Sequence, residues 1–68
     1  METIINQLNN IKARIWSYNS HEVSIIYYPM LDRFVARCEV TNEEKRITLK
    51  SAERVLNDML YDFCVETA

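Results

Sequence analysis

The 68-residue sequence predicts one small α+β domain with the order α-β-β-β-α, in which a three-stranded antiparallel meander carries two helices packed on one face. Apolar residues recur at helical spacing near both ends of the chain, and they alternate with polar residues in the middle. No repeat or linker divides residues 1–68. Because each helix has a single apolar stripe, we expect both helices to cover the same face of the sheet.

The first predicted helix spans residues 4–18, with Thr3 as its N-cap. Its apolar residues recur every three or four positions, which places them on one stripe that we expect to face the core. The stripe consists of Ile4, Leu8, Ile11, Ile15 and Tyr18.

Three strands are predicted at residues 22–28, 33–40 and 45–50. Alternate side chains of a strand share a face, so the pattern divides these residues into two sets. The face expected to meet the helices carries Val23, Ile25, Tyr27, Phe34, Ala36, Cys38, Val40, Ile47 and Leu49. The open face carries Ser24, Ile26, Tyr28, Arg33, Val35, Arg37, Glu39, Arg46 and Thr48.

A helix over residues 29–38 is an alternative to the second strand. Pro29 suits the first position of a helix, and several apolar residues after it match helical spacing. The strand is favoured because Val35, Arg37 and Glu39 alternate with apolar residues, and because the next segment resembles the second half of a hairpin.

The second predicted helix spans residues 52–65, with Ser51 as its N-cap. Its apolar stripe consists of Ala52, Val55, Leu56, Met59, Leu60, Phe63 and Cys64. On another face, three acidic residues recur every fourth position, one helical turn apart. We call Asp58, Asp62 and Glu66 the acidic ridge; Asn57 and Tyr61 border it. The ridge is either a solvated helix face or an imitation of a phosphate backbone.

Composition and charge exclude several functions. Glycine is absent, which excludes Gly-rich phosphate-binding loops. The net charge is −2, which does not favour non-specific nucleic-acid binding. The charges are nevertheless distributed unevenly. Residues 33–50 carry five basic and three acidic residues, whereas residues 51–68 carry four acidic residues and one basic residue. The N-terminus does not resemble a signal peptide and no apolar run is long enough for a membrane span, so we expect a cytoplasmic protein.

The residues that usually carry catalysis are few. His21 is the one histidine, and no acid is placed by spacing to orient it. Cys38 and Cys64 fall on the predicted core faces, where a thiol is inert, and we expect both to be free thiols; one disulfide between them is the alternative. We therefore expect neither an enzyme nor a metal or cofactor site.

Binding residues are easier to nominate. Met30 and Leu31 occupy a turn that is normally polar, so they either fold back over the end of the core or stay exposed as anchors for another chain. Arginines on the open face, with a tyrosine for stacking, suit a nucleic-acid platform or a solvated sheet with Glu–Arg pairs. The candidate partner-binding residues are Asp58, Asp62, Glu66, Tyr61, Met30, Leu31, Tyr28, Val35, Arg33 and Arg37.

The element order resembles the double-stranded-RNA-binding domain, with "TLKSAERVLNDMLYDF" where that family has its second helix. That family binds RNA through a lysine cluster at the start of this helix. Here only Lys50 and Arg54 stand there, beside Glu53 and Asp58, so the match is one of topology and does not imply RNA binding.

The chain also resembles small phage-encoded inhibitors of bacterial defence, the anti-CRISPR proteins, in its length, its acidity, the meander over 22–50 and the acidic ridge. The resemblance implies stoichiometric binding to a nucleic-acid-handling effector, which blocks DNA entry without catalysis. We therefore expect a non-enzymatic protein-binding inhibitor. The alternatives are a structural or regulatory homodimer joined through the open sheet face, and a weak nucleic-acid binder that uses Arg33, Arg37 and Arg46.

Overall fold

The computed structural model describes residues 3–67, and the side chains of residues 3–65. Its elements are α1 (Ile4–Ile15), a 3₁₀ turn (Ser20–Glu22), β1 (Val23–Tyr28), β2 (Arg33–Cys38), β3 (Glu44–Ile47) and α2 (Ala52–Thr67). The predicted α-β-β-β-α order is confirmed, and residues 33–38 form a strand rather than the alternative helix.

The three strands form one antiparallel sheet in the order β1-β2-β3, so β2 is central and the other two strands are edges. Val23 pairs with Cys38 at one end of the first hairpin, and Tyr28 pairs with Arg33 at the other. Phe34 pairs with Ile47 across β2 and β3. This register places the alternate residues of all three strands on common faces, as the pattern predicts.

Both helices cover one face of the sheet. The buried residues of α1 and α2 join the strand residues of a single alternation set in one hydrophobic core. The core consists of Leu8, Trp16, Val23, Ala36, Cys38, Ile47, Ala52, Val55, Leu56 and Met59.

Trp16 is the largest fully buried side chain, with 1% of its surface exposed. It caps the C-terminus of α1, where its backbone N–H donates to Lys12 O at 2.7 Å. Its indole Nε1–H donates to Leu56 O at 3.1 Å, and its ring meets Phe63 edge-on with centroids 5.1 Å apart. α1 ends at Ile15, so Tyr18 lies beyond the helix. It does not extend the apolar stripe as predicted, and it is 94% exposed.

Six residues predicted to face the core are exposed, which corrects the sequence interpretation: Ile4, Tyr18, Tyr27, Val40, Leu49 and Cys64. Val40 and Leu49 lie beyond the ends of β2 and β3, because β2 ends at Cys38 rather than at residue 40 and β3 ends at Ile47 rather than at residue 50. Cys64 lies on the flank of α2, in the half of the helix that follows its buried residues. Cys38, by contrast, is fully buried as predicted.

The chain makes its two hairpin turns without glycine. Asp32 has φ 48° and Asn42 has φ 62°, the left-handed region that Asp and Asn tolerate better than most residues. The predicted N-cap of α1 is confirmed, because the Thr3 hydroxyl accepts the Asn6 N–H at 3.2 Å. Ser51 directly precedes α2 and its carbonyl accepts the Val55 N–H at 2.9 Å, but its hydroxyl accepts the Thr48 N–H at 3.1 Å, so the predicted side-chain cap is not observed among the described residues. Within residues 3–67, neither helix has the length and apolarity needed to cross a bilayer.

Candidate protein-binding surfaces

The outer side of α2 carries an exposed surface that combines acidic and apolar residues. Asp58, Tyr61, Asp62 and Val65 stand at helical spacings of three and four, so they share one face. Tyr61 is 71% exposed, Asp58 and Val65 are exposed, and Asp62 is half-buried. Among the described residues, neither Asp58 nor Asp62 forms an ion pair. The side chain of Glu66, the third member of the acidic ridge, lies outside the described residues.

The loop between β2 and β3 adds a further carboxylate to this surface. Thr41 and Glu43 line a cleft of about 230 Å³ together with Tyr61, Asp62 and Val65. Glu43 forms an ion pair with Lys45, whose Nζ lies 3.4 Å from the Glu43 carboxylate. We call Glu43, Asp58, Tyr61, Asp62 and Val65 the acidic surface. Helical spacing nominates Val65 as a member, but no sequence pattern links Glu43 to α2.

On the open sheet face, Arg37 is engaged with acidic neighbours. Its Nη1 lies 3.0 Å from Glu44 Oε2, and its Nε lies 3.6 Å from Glu39 Oε1. Tyr28 OH donates to Glu44 Oε1 at 3.2 Å. Partial burial, followed by the negative charge of Glu44, raises the pKa of Tyr28 above its ordinary value. In this part of the open face the charged side chains therefore pair with one another. This matches the predicted solvated sheet with Glu–Arg pairs rather than a nucleic-acid platform.

Val35 lies on the open face as predicted but is only 7% exposed. It pairs across the sheet with Ile26 on one side and Arg46 on the other. Neighbours on its own face therefore cover it, although the helices lie on the opposite face. A partner would meet the side chains around Val35 rather than Val35 itself.

The turn between β1 and β2 leaves its apolar residues in solvent. Met30 is 96% exposed and Leu31 is also exposed, so neither is buried over the end of the core. The turn is closed by the Leu31 N–H, which donates to Tyr28 O at 3.1 Å. Asp32 is held by Tyr27 OH, which donates to its Oδ1 at 2.7 Å, and this hydrogen bond is the main cause that raises the pKa of Tyr27.

A second groove was not predicted. It lies at the end of the sheet where Phe34 of β2 pairs with Ile47 of the edge strand β3, and we call it the β3 edge groove. It has a volume of about 210 Å³, and its lining includes Arg33 and Arg46 of the open face. The pattern missed it because it assigned Ile4 and Leu49 to the core, whereas both are partly exposed in the lining of this groove.

His21 Nε2 lies 2.6 Å from Glu22 Oε1, and the histidine of this pair is exposed whereas the glutamate is half-buried. Cys38 and Cys64 are free, and no group of three His, Cys, Asp or Glu residues that could hold a metal occurs among the described residues.

Comparison with known proteins finds no family model, no curated protein and no solved structure that matches this chain.

Proposed function

We propose that this protein is a non-enzymatic inhibitor that presents the acidic surface to a basic cleft of a nucleic-acid-handling protein, in the manner of the phage-encoded anti-CRISPR proteins that it resembles. The observation that carries the proposal is the pair of carboxylates on α2, Asp58 and Asp62, which no cation neutralises within the described residues. Both belong to a helix that is packed against the core, so their separation is fixed.

The composition of the acidic surface supports a protein partner. Exposed Tyr61 and Val65 lie among the carboxylates, and a tyrosine is a frequent anchor at protein interfaces. Asp58 and Asp62 are about 6 Å apart along the helix axis, so they form a short row of negative charge on a rigid support. Such a row of negative charge attracts a basic groove whose lysines and arginines otherwise bind phosphate groups. The proposal places the protein in the cytoplasm, where such effectors act.

The two alternatives have less support. A homodimer through the open sheet face would need apolar surface there, but Val35 is already covered by its neighbours. A nucleic-acid platform would use Arg33, Arg37 and Arg46. Arg37 is engaged with Glu39 and Glu44, which leaves two of the three arginines without an ion pair among the described residues, and the chain carries a net charge of −2.

The experiment is capture of proteins from a bacterial lysate on the immobilised chain, with duplex DNA as competitor. We expect captured proteins that bind nucleic acid, that are displaced by the DNA, and that dissociate steeply as salt rises. The double variant Asp58→Asn/Asp62→Asn should lower their apparent affinity by about tenfold or more.

The matched control is Glu39→Gln/Glu44→Gln, which removes the same amount of charge from the open face and leaves amide oxygens that still accept from Arg37. Capture by this variant should equal that of the wild type. The proposal is wrong if both variants capture the same proteins equally well, or if duplex DNA displaces none of them.

A further inference from the structure

The groove at the edge of β3 combines an apolar floor with two arginines. Its apolar lining comes from three elements, with Ile4 at the start of α1, Phe34 in β2, and Ile47 and Leu49 at and beyond the end of β3. Ile4 and Leu49 are partly exposed and Phe34 is half-buried, so an apolar side chain from another molecule would gain contacts there. The volume of about 210 Å³ suits one large side chain rather than a whole small-molecule ligand.

The charged side chains that line this groove are mainly basic, and the basic ones are unpaired among the described residues. Arg33 and Arg46 both line it, and among the described residues neither forms an ion pair. Arg33 Nε is also shielded from solvent without a hydrogen-bond partner in that part of the chain. The one acidic residue of the lining, Asp32, already accepts the Tyr27 hydroxyl. Carboxylates are therefore the complementary groups, and arginine binds them in a bidentate geometry.

The backbone beside the groove is an unpaired sheet edge. The Cys38 N–H donates to Glu43 O at 2.8 Å, so the alternation of an antiparallel ladder turns residues 43, 45 and 47 toward β2. The backbone N–H and C=O groups of Glu44 and Arg46 consequently point outward, away from the sheet. An edge of this kind accepts an extended peptide as an additional strand.

We infer that the β3 edge groove is a second binding site, distinct from the acidic surface, for an extended segment of a partner protein in which a bulky apolar side chain stands beside acidic residues. The apolar side chain enters between Ile4, Phe34 and Leu49, and the acidic residues meet Arg33 and Arg46. The segment's backbone pairs with the outward groups of β3. A nucleic acid fits less well, because the floor of the groove is mainly apolar and the carboxylate of Asp32 in its lining would repel phosphates.

The test is selection of phage-displayed random peptides on the immobilised protein, followed by affinity measurement with the selected peptides as synthetic probes. We expect enriched peptides that combine a large apolar residue with Asp or Glu. Arg46→Glu should weaken them by about tenfold or more, because it replaces attraction by repulsion. Methylation of alternate backbone N–H groups in the peptide should also abolish binding, because it removes the hydrogen bonds to β3.

Arg54→Glu is the matched control, since Arg54 is exposed on α2, outside the groove, and forms no ion pair in the described chain. It should leave peptide affinity unchanged, as should Asp58→Asn/Asp62→Asn. A thermal melt of each variant verifies folding, and Leu49→Ser tests the apolar floor without a change of charge.

Any one of four outcomes would overturn the inference. The first is the absence of a common acidic–apolar pattern among the selected peptides, and the second is peptide binding that Arg46→Glu leaves intact. Another is retardation of a single-stranded oligonucleotide that Arg46→Glu removes, which would assign the groove to nucleic acid. The last is concentration-dependent self-association that the same substitution removes, which would assign it to a second copy of the chain.

Discussion

The two faces of the sheet are both shielded, but by different means. On the core face, Ala36 and Ile47 are buried in one hydrophobic cluster with residues of both helices and Trp16. On the open face no helix is present, yet Val35 is almost as inaccessible, because its cross-strand neighbours Ile26 and Arg46 cover it. Long polar side chains can bury an apolar residue with their aliphatic stems while their charged ends stay in water.

The difference teaches that the face a residue occupies does not determine its exposure. β2 is the central strand, so its residues 34–37 each have a cross-strand neighbour on both sides. Helices shield the core face through long-range packing, whereas the open face depends on pairs such as Arg37 with Glu44 and Tyr28 with Glu44. The four predictions below test this contrast, from the largest expected effect to the smallest.

Trp16→Ala should cost about 3–5 kcal/mol of unfolding free energy, because it removes the largest core side chain and leaves a cavity. Urea denaturation followed by circular dichroism is the appropriate measurement, since Trp16 is the single tryptophan of the chain. Trp16→Phe, which keeps a ring but loses the N–H bond to Leu56, should cost less, about 1–3 kcal/mol. The exposed Tyr18→Ala is the control; equal losses for Trp16→Ala and Tyr18→Ala would contradict the assignment of the core.

Val35→Ala should cost about 1–2 kcal/mol, because a buried valine loses packing even though no helix covers it. Val40→Ala makes the same change at an exposed position and should stay within about 0.5 kcal/mol of the wild type. Denaturant midpoints of the two variants give the comparison directly. Indistinguishable midpoints would show that the open face does not shield Val35.

Tyr28→Phe should produce a smaller loss of stability at neutral pH, because it removes one hydrogen bond to Glu44 at the surface. The pKa of Tyr28 is raised in the folded state, so its contribution is fully present below the ordinary tyrosine pKa of about 10 and is lost as pH rises through the folded value. The wild type should therefore lose stability above about pH 10 more steeply than Tyr28→Phe. Melting curves across alkaline pH test this, and parallel curves for the two proteins would refute it.

Met30→Ser should change stability by less than about 0.5 kcal/mol, because its side chain is in solvent and shields neither face. Met59→Ser makes the same substitution in the core and should cost about 2–5 kcal/mol. Thermal unfolding of both variants is sufficient. A loss above about 1 kcal/mol for Met30→Ser would mean that the turn packs onto the core in solution.

The fold could be predicted because it depends on local patterns. The 3.6-residue periodicity of α2 and the alternation of residues 33–38 are properties of single segments, and the register follows once they pair. Trp16 could not be placed in the same way. It lies just after the last turn of α1 and gains its burial from Leu56 and Phe63, forty or more residues away.

The candidate surfaces were predictable only in part. The spacing of Asp58 and Asp62 indicates a shared helix face, and the structure places them on one. Glu43 lines the same cleft as that helix face, and Ile4 lines the same groove as Leu49. These residues come from distant elements, so no local pattern predicts that they lie together. The exposure of Val40 and Leu49 was missed because their pattern continues for about two residues after the ladder of hydrogen bonds has stopped.

One cysteine is exposed and the other is buried, so the rates at which the two thiols are labelled can report local unfolding of the sheet. Cys64 on α2 is open to a thiol reagent in the native protein, whereas Cys38 in the central strand becomes reactive only when the sheet separates. A fluorophore would therefore attach first to Cys64, three residues after Tyr61, where it would sense a partner on the acidic surface. The slow second alkylation, at Cys38, would then measure how often the strands part.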